Sequence, residues 1–367
     1  MANLLVTGGA GFIGSNYVFW HLGRYPADKV VVLDALTYAS CIQSLDKLRD
    51  NANFVFVKGN ILDSGLLSRV FDEHAIDTVV HFAAESHVDR SISGPDEFIR
   101  TNIEGTYTLL KAALAKWVKD GECSGHFHHI STDEVFGTLG PDDPAFCETT
   151  QYQPNSPYSA SKASSDMLVR SFVHTYGLKA SITNCSNNYG PYQFPEKLIP
   201  LAITNLLDGK NVPVYGDGRQ IRDWLYVEDH VSAVDQALDW SRGKSEDGHV
   251  FWSFTLGARV QKTNLEVIEQ ICDKLDAILA GSGEYRSRYP KSAVSAGRRC
   301  RDMIEHVQDR PGHDRRYAID PSYAEKKFGY KPAHDFDQGI ERTIMWYLDN
   351  ENWWRPLKSR LMDFSRR

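Results

Sequence analysis

Cysteine is scarce in this 367-residue chain and poorly placed for pairing. Cys41, Cys123, Cys147, Cys185, Cys272 and Cys300 are scattered with no CxxC pair. That excludes a disulfide framework and a structural zinc site, and predicts reduced thiols in a cytoplasmic protein. No apolar run reaches the roughly 18 residues that a membrane-spanning helix needs. The N-terminus enters a strand-like run with no charged-then-apolar leader. Basic charge is not in excess either: 41 Lys and Arg stand against 48 Asp and Glu, a net charge of −7. The chain as a whole is therefore expected to offer no basic surface for nucleic acid, and nothing in it is expected to span a membrane. No spacing of His, Cys and acidic residues suggests a metal. Internal repeats and low-complexity tracts are absent.

What the chain does have is rhythm. NLLVT (3–7), VVVLD (30–34), FVFVK (54–58), TVVHFAA (78–84) and HFHHIS (126–131) read as strands, several of them nearly unbroken in apolar residues. Strands buried on both faces belong to a parallel sheet. Helix-length segments lie between them, including 97–119, where Ile99, Ile103, Leu109, Leu110, Ala113 and Leu114 mark one face. The expectation is an α/β fold: a Rossmann-like, doubly wound parallel sheet with a smaller mixed α/β C-terminal lobe. Residues 1–186 are expected to form the nucleotide-binding domain and 187–357 mainly a substrate lobe, with chain crossing back to the first and 358–367 as a tail. After about residue 186 turn formers break the rhythm, and VPVYG, FWSFTLG and a helix over 263–279 follow. Basic residues gather at Arg298–Arg301 and Arg310–Arg316, which suggests a local anion site. Trp346, Trp353 and Trp354 suggest a packed or interface-forming tail, and the last Arg-rich residues read as disordered.

Two motifs carry chemistry. TGGAGFIG (7–14) follows the first strand and opens a helix. Gly8, Gly11 and Gly14 allow a tight turn, close approach of a pyrophosphate and close helix–strand packing, with the helix N-terminus aimed at the phosphates. Asp34 ends the second strand about 20 residues on, where a carboxylate accepts ribose hydroxyls and repels a 2′-phosphate, favouring NAD over NADP. YSASK (158–162) places Tyr158 and Lys162 on one helix face. A nearby ammonium stabilises tyrosinate, so Tyr158 is expected to take an alcohol's proton near neutral pH.

HISTDEVFG (129–137) ends a strand in two adjacent acids, Asp133 and Glu134, behind Thr132. With the glycine turn, Asp34 and YxxxK, the chain resembles the extended short-chain dehydrogenase/reductase family. Members that only epimerise typically carry small hydroxyl residues where this chain has Thr132-Asp133-Glu134. FAAESHVDRSI (82–92), SPYSASKASSD, NCSNNYGPYQFPEKLIPL (184–201), GDGRQIRDWLYVEDH (216–230) and RPGHDRRYAID (310–320) extend the likeness over almost the whole chain, to that family's sugar-nucleotide 4,6-dehydratases.

The resemblance implies tightly bound NAD, dTDP-glucose as substrate, with UDP-glucose as the alternative, and a homodimer packed through helices. It implies oxidation at C4, loss of water across C5–C6 and reduction at C6. Glu134 is then the base at C5, Asp133 the acid for the departing C6 hydroxyl, and Thr132 a hydrogen-bonding group near the C4 oxygen. Two neighbouring carboxyls with split pKa values can divide that work. Cofactor contacts implied by the family pattern are Gly8, Gly11, Phe12, Ile13, Gly14, Asp34, Ala35, Leu36, Thr37, Asn60, Ile61, Ala83, Ala84, Ser86, Thr101, Tyr158, Lys162 and Asn188. Substrate contacts implied are Ser86, Thr132, Asn187, Lys197, Leu198, Pro213, Tyr215, Arg222, Thr255, Arg310 and His313. His87, His128 and His129 read as structural.

The chain departs from the pattern at Ser40-Cys41, at Asn60 where Asp is usual, at Thr255 where Asn is common, and over 281–300, an unfamiliar segment expected as a loop over the nucleotide. The rivals are a nucleotide-sugar 4-epimerase, with no need of Asp133 and Glu134, and an NAD-binding sensor without turnover, which could lose Tyr158, Lys162 or Glu134 freely.

Overall fold

The apolar runs of the first half become strands buried on both faces. The computed structural model describes residues 1–244, 251–309 and 312–364. β1 (Asn3–Thr7) leads through the glycine turn into α1 (Phe12–Arg24), then β2 (Lys29–Asp34), β3 (Phe54–Lys58), α2 (Ser64–Glu73) and β4 (Thr78–His81). Short helices α3 (Val88–Ser93) and α4 (Asp96–Phe98) precede a π-helical turn, Ile99–Gly105, which runs into α5 (Thr106–Trp117). A small hairpin, β5 (Val118–Lys119) and β6 (Glu122–Cys123), follows before β7 (His126–Thr132), α6 (Pro157–Tyr176) and β8 (Ala180–Cys185). The central sheet has seven strands in the order β12-β8-β7-β4-β1-β2-β3, with β12 at Phe251–Leu256, and every pairing in it is parallel. The chain moves outward from β1 to β3 and returns to β1's other side at β4. That reversal opens a crevice at the carboxyl ends of the strands.

Two apolar layers hold the helices to this sheet. Tyr17, Val18 and Leu22 of α1 share one core with Val231, Val234 and Leu238 of α8 (Val227–Gly243). On the other face Leu67 and Val70 pack with Leu109, Leu110, Val169 and Val173. The second half adds β9 (Asn187–Tyr189), α7 (Leu198–Leu207), β10 (Val212–Tyr215) and β11 (Ile221–Tyr226) before α8 and β12. Then come β13 (Gln261–Thr263), α9 (Asn264–Gly281), α10 (Gly283–Arg288), β14 (Ile304–Val307), α11 (Ser322–Phe328), α12 (Phe336–Asp349) and α13 (Glu351–Phe364). A third core joins α7, α9, α12 and α13 around Ile203, Leu206, Ile271, Leu275, Ile344 and Trp354. The chain returns to the first half as α8 packed on α1, as β12 paired with β8, and as α11 packed near β12, where Phe254 meets Phe328.

Several expectations shift. The strand read over 78–84 stops at His81, and Phe82, Ala83 and Ala84 line the crevice instead. The helix over 97–119 is helical from Asp96 to Trp117 but contains the π turn, whose wider spacing rotates the apolar face and leaves Ile99 exposed. The helix over 263–279 begins one residue later because Thr263 caps it: its hydroxyl accepts from Glu266 N–H and the Glu266 carboxylate accepts from Thr263 N–H. Segment 281–300 does not cover the crevice. Tyr289 donates to the Leu348 carbonyl at 2.7 Å, Ala293 is buried, and Cys300 N–H reaches Asp276 at 3.0 Å, so it packs on the C-terminal core. Trp354 is fully buried there, and the tail expected from 358 stays helical to Phe364. The final Arg-rich residues 365–367 lie outside the described residues. Among the described residues no helix is long and apolar enough to cross a membrane.

Candidate active site

The glycine turn is shaped by contacts that exclude side chains. Gly8 has φ +70°, and a Cβ there would lie 2.7 Å from Ala83 N; one on Gly14 would lie 2.3 Å from the Gly8 oxygen. The turn therefore presses α1 against β1. Gly11 is the N-cap of α1 and no side chain caps that end. With no acid in the first turn, the first backbone N–H groups of α1 present an anion site. Asp34, at the end of β2, accepts from Ala10 N–H at 2.9 Å and Leu36 N–H at 2.8 Å, one on each carboxylate oxygen. Each oxygen keeps lone-pair capacity for a ribose hydroxyl. Burial lifts this carboxyl above its usual range against the pull of those N–H groups.

Every predicted cofactor contact except Leu36 lines one cleft of about 310 Å³. Leu36 adopts φ +55°, which turns its side chain toward the apolar core while its N–H holds Asp34. Asn60 is exposed, and its carbonyl oxygen already accepts from Leu62 N–H at 2.9 Å.

The acid pair occupies the far wall of the same cleft. β7 ends at Thr132, whose hydroxyl accepts from Glu134 N–H at 3.3 Å and so starts a 3-10 turn over Asp133–Phe136. That turn points adjacent acids into different surroundings: Asp133 is 2% exposed, whereas Glu134 is half-buried. Burial, then Glu134, then Asp223 hold the Asp133 carboxyl well above the usual range, against a smaller opposing pull from Arg222. Asp133 is thus the member of the pair whose surroundings favour the protonated form.

Ser156 caps α6 and Pro157 occupies its first turn, so Tyr158 and Lys162 fall at the sheet's carboxyl edge. Lys162 lies one helical turn from Tyr158 and is buried against the sheet. Lys162 Nζ donates to the Ile130 carbonyl at 2.7 Å and lies 3.4 Å from His129 Nε2. Burial, followed by the Glu134 charge, pushes the Tyr158 phenol well above its ordinary value. The chain's own groups keep this phenol protonated.

The predicted substrate residues divide. Ser86, Thr132, Asn187 and Lys197 line the cleft, and Lys197 Nζ donates to the Ser86 carbonyl at 2.9 Å. Asn187 arrives there because β9 pairs with β11, opposite Trp224. Arg222, also on β11, lies outside the cleft lining, stacks over Tyr317 at 4.2 Å and donates to the Ile221 and Asp314 carbonyls. Pro213 and Tyr215 sit on β10, beside β14, and His313 pairs with Asp309 at 2.7 Å. Leu198 packs against the C-terminal core. Arg310 lies outside the described residues. Thr255 is corrected: fully buried, it turns its single hydroxyl proton toward Glu148 and the Asp320 carbonyl, each 2.9 Å away, so it has no reach to a phosphate.

Spacing gave no sign of other cleft residues. Tyr38 donates to Glu196 at 3.1 Å beneath the Arg90 guanidinium, 3.6 Å from the ring. Asn102, inside the π turn, fixes the loop after β4 by bonding both backbone groups of Glu85, and donates to Ser161 at 2.8 Å. The only forewarning was the position of Glu196 beside Lys197. Among the described residues no group of three or more His, Cys, Asp or Glu side chains is placed to hold a metal.

A β1–β4 crevice with a glycine turn, a strand-end acid and a helical Tyr/Lys pair defines the class, an extended short-chain dehydrogenase/reductase. The chain belongs to the family whose model is described as GDP-mannose 4,6 dehydratase, which it matches over residues 5–343. It is 49% identical over 358 residues to the dTDP-glucose 4,6-dehydratase of Neisseria meningitidis serogroup B, covering 97% of this chain and 96% of that one. The structure of DesIV, a dTDP-glucose 4,6-dehydratase from Streptomyces venezuelae solved with NAD bound, superposes with TM-score 0.83 at 43% identity, covering 96% of this chain and 99% of that one. A UDP-glucose 4-epimerase from Thermotoga maritima shares the fold at TM-score 0.77 but only 27% identity, covering 95% of this chain and 99% of that one.

Proposed function

We propose that this chain is a dTDP-glucose 4,6-dehydratase, a hydro-lyase that works with bound NAD and yields dTDP-4-keto-6-deoxyglucose. The observation that carries the reading is the split acid pair: a buried Asp133, its carboxyl held above the usual range, beside a half-buried Glu134, both in one cleft with Tyr158. A 4-epimerase has no use for such a pair. Residues 1–186 are read as the cofactor half and 187–357 as mainly the nucleotide-sugar lobe.

The residues fit NAD. The Gly8–Gly14 turn leaves no room for side chains where a pyrophosphate approaches, the α1 N-terminus is uncapped, and Asp34 retains lone pairs for a ribose. Oxidised NAD, when bound, accepts hydride from the sugar's C4, returns it to C6, and brings a positive ring to the site. The Lys162 ammonium, with the positive ring that NAD would add, favours the tyrosinate, so Tyr158 can take the C4 hydroxyl proton while Thr132 steadies the oxygen. The C4 ketone acidifies C5–H, and Glu134 removes that proton. Asp133 delivers its own proton to the C6 oxygen as the C6–O bond breaks, and water leaves. A proton then returns to C5, and Asp133 is reprotonated as Tyr158 loses the proton it took. Lys197 and Asn187 hold the sugar nucleotide at the lobe edge.

The dimer belongs to the same reading. Tyr107 on α5 and Met167 on α6 stay exposed, as does Ile99 in the adjoining turn, which supplies an apolar face for a second copy. Six free cysteines fit a reducing, cytoplasmic setting.

The test is mass spectrometry of purified protein incubated separately with dTDP-glucose and UDP-glucose, without added NAD. Loss of one water's mass from dTDP-glucose is expected. Loss only from UDP-glucose would keep the mechanism and change the nucleotide. No loss from either, with NAD then supplied, would overturn the reading.

A further inference from the structure

Behind Lys162, away from the cleft, lies a buried carboxylate that the reaction described above does not use. Asp166 is one helical turn beyond Lys162 on α6 and is 2% exposed. One of its oxygens accepts from Ser131 at 2.7 Å, Tyr152 at 2.9 Å and Asn184 at 3.4 Å. Three donors converging on one oxygen suit a charged carboxylate. Its other oxygen lies 3.2 Å from His129 Nε2, and that same nitrogen is 3.4 Å from Lys162 Nζ. A single imidazole nitrogen thus separates a buried carboxylate from a buried ammonium.

We infer that Asp166 is a positioning residue for the dehydration: acting across His129, it keeps Lys162 charged inside the sheet–helix interface. The inference rests on the proposed function.

The surroundings supply no substitute. Lys162 is faced by His129 from β7, His81 from β4, Cys185 from β8, and by Tyr158 and Asp166 on its own helix. Burial keeps both histidines neutral, and the Cys185 thiol is pushed up to about 12. The Tyr158 phenol is held protonated, and Asp133 and Glu134 act on Tyr158 from the cleft side. Around Asp166 stand Tyr152, whose phenol is pushed up by burial, and Arg170 a turn along the helix. Asp166 itself sits at about 6, so it is ionised at neutral pH. Burial pulls Lys162 downward, and Asp166 is the largest force opposing it. Removing that carboxylate leaves an ammonium to bear burial alone, and it loses its proton at lower pH.

The experiment is the pH profile of kcat for dTDP-glucose dehydration, by wild type, Asp166→Asn and Asp166→Glu holoenzymes. In Asp166→Asn the alkaline limb is expected to move down by about one pH unit or more, the scale of losing a close opposite charge, with KM little changed. Asp166→Glu, which keeps the charge, is expected to hold the limb near its wild-type position. A folded Asp166→Asn enzyme that loses activity evenly at every pH would make the residue merely structural and overturn the inference. So would Asp166→Glu moving the limb down by a full unit, a comparison that stands even where Asp166→Asn does not fold. Wild-type protein that forms no dehydrated product would sink the proposed function instead.

Discussion

Gly14→Ala adds one methyl group, and the structure says where it must go. Its Cβ would stand 2.3 Å from the Gly8 oxygen, 2.9 Å from Gly9 Cα and 3.0 Å from the Gly8 carbonyl carbon. All three are backbone atoms of one turn, so no rotamer change relieves the contact. Nor can the turn yield freely, since Gly8 N–H is tied to the Leu33 carbonyl at 2.9 Å. Relief requires α1 to lift from β1, and forced repacking of this kind costs about 1–3 kcal/mol. Spent on the cofactor, that is roughly a 5- to 150-fold loss of affinity. Gly23→Ala is the control, because its Cβ meets nothing within 4 Å on the same helix. It should stabilise the chain by a few tenths to about 1 kcal/mol through helix propensity. The assay is NAD retained per chain after gel filtration, together with the melting temperature. Gly14→Ala should lose cofactor and melt lower, whereas Gly23→Ala should keep cofactor and melt slightly higher. A Gly14→Ala protein with wild-type NAD content and melting temperature would refute the claim that the Gly8–Gly14 contact holds the site.

Glu134→Gln should bind substrate and oxidise it, then stall, so the near-ultraviolet absorbance of reduced nicotinamide builds up; normal product formation would remove Glu134 as the base. Asp133→Asn should abolish dehydration and stabilise the fold. The native carboxyl is held above its unfolded value, so the unfolded chain ionises first as pH rises past about 4, and wild-type stability falls from there toward the folded pKa. The mutant's gain in melting temperature should therefore grow between pH 4.5 and 7, and a gain that is flat or negative would contradict the sign. Trp354→Ala empties a fully buried site and strands the Tyr347 carbonyl, which its ring N–H meets at 2.8 Å. It should cost about 3–5 kcal/mol in denaturant titration, and a loss below 1 kcal/mol would place that ring outside the core.

The first half of the fold was legible because its signals are local. A glycine turn after a strand, an acid at the next strand's end and a Tyr/Lys helical pair each fix geometry within a few residues, and strands 3–7 and 54–58 fall where the apolar runs put them. Contacts between distant segments were less legible. Lys162 faces Ile130 and His129 because of how β7 lies under α6, and helical spacing says nothing of that. The π turn at Ile99–Gly105 has no composition signal, yet it turns Asn102 inward and Ile99 outward. Thr255 carried a family expectation, but Glu148, more than a hundred residues away, takes its hydroxyl.

The strand β12 has a consequence for how such a chain can change. It completes the first half's sheet beside β8, although β9, α7, β10 and β11 of the other half precede it in sequence. No single cut separates the two halves, because α8, β12 and α11 pass back and forth between them. A gene fusion with one junction could not exchange the segment after residue 186 while leaving the sheet whole. New substrate preference has to accumulate by individual substitutions at the strand ends facing the cleft, under the constant requirement that the shared sheet still closes.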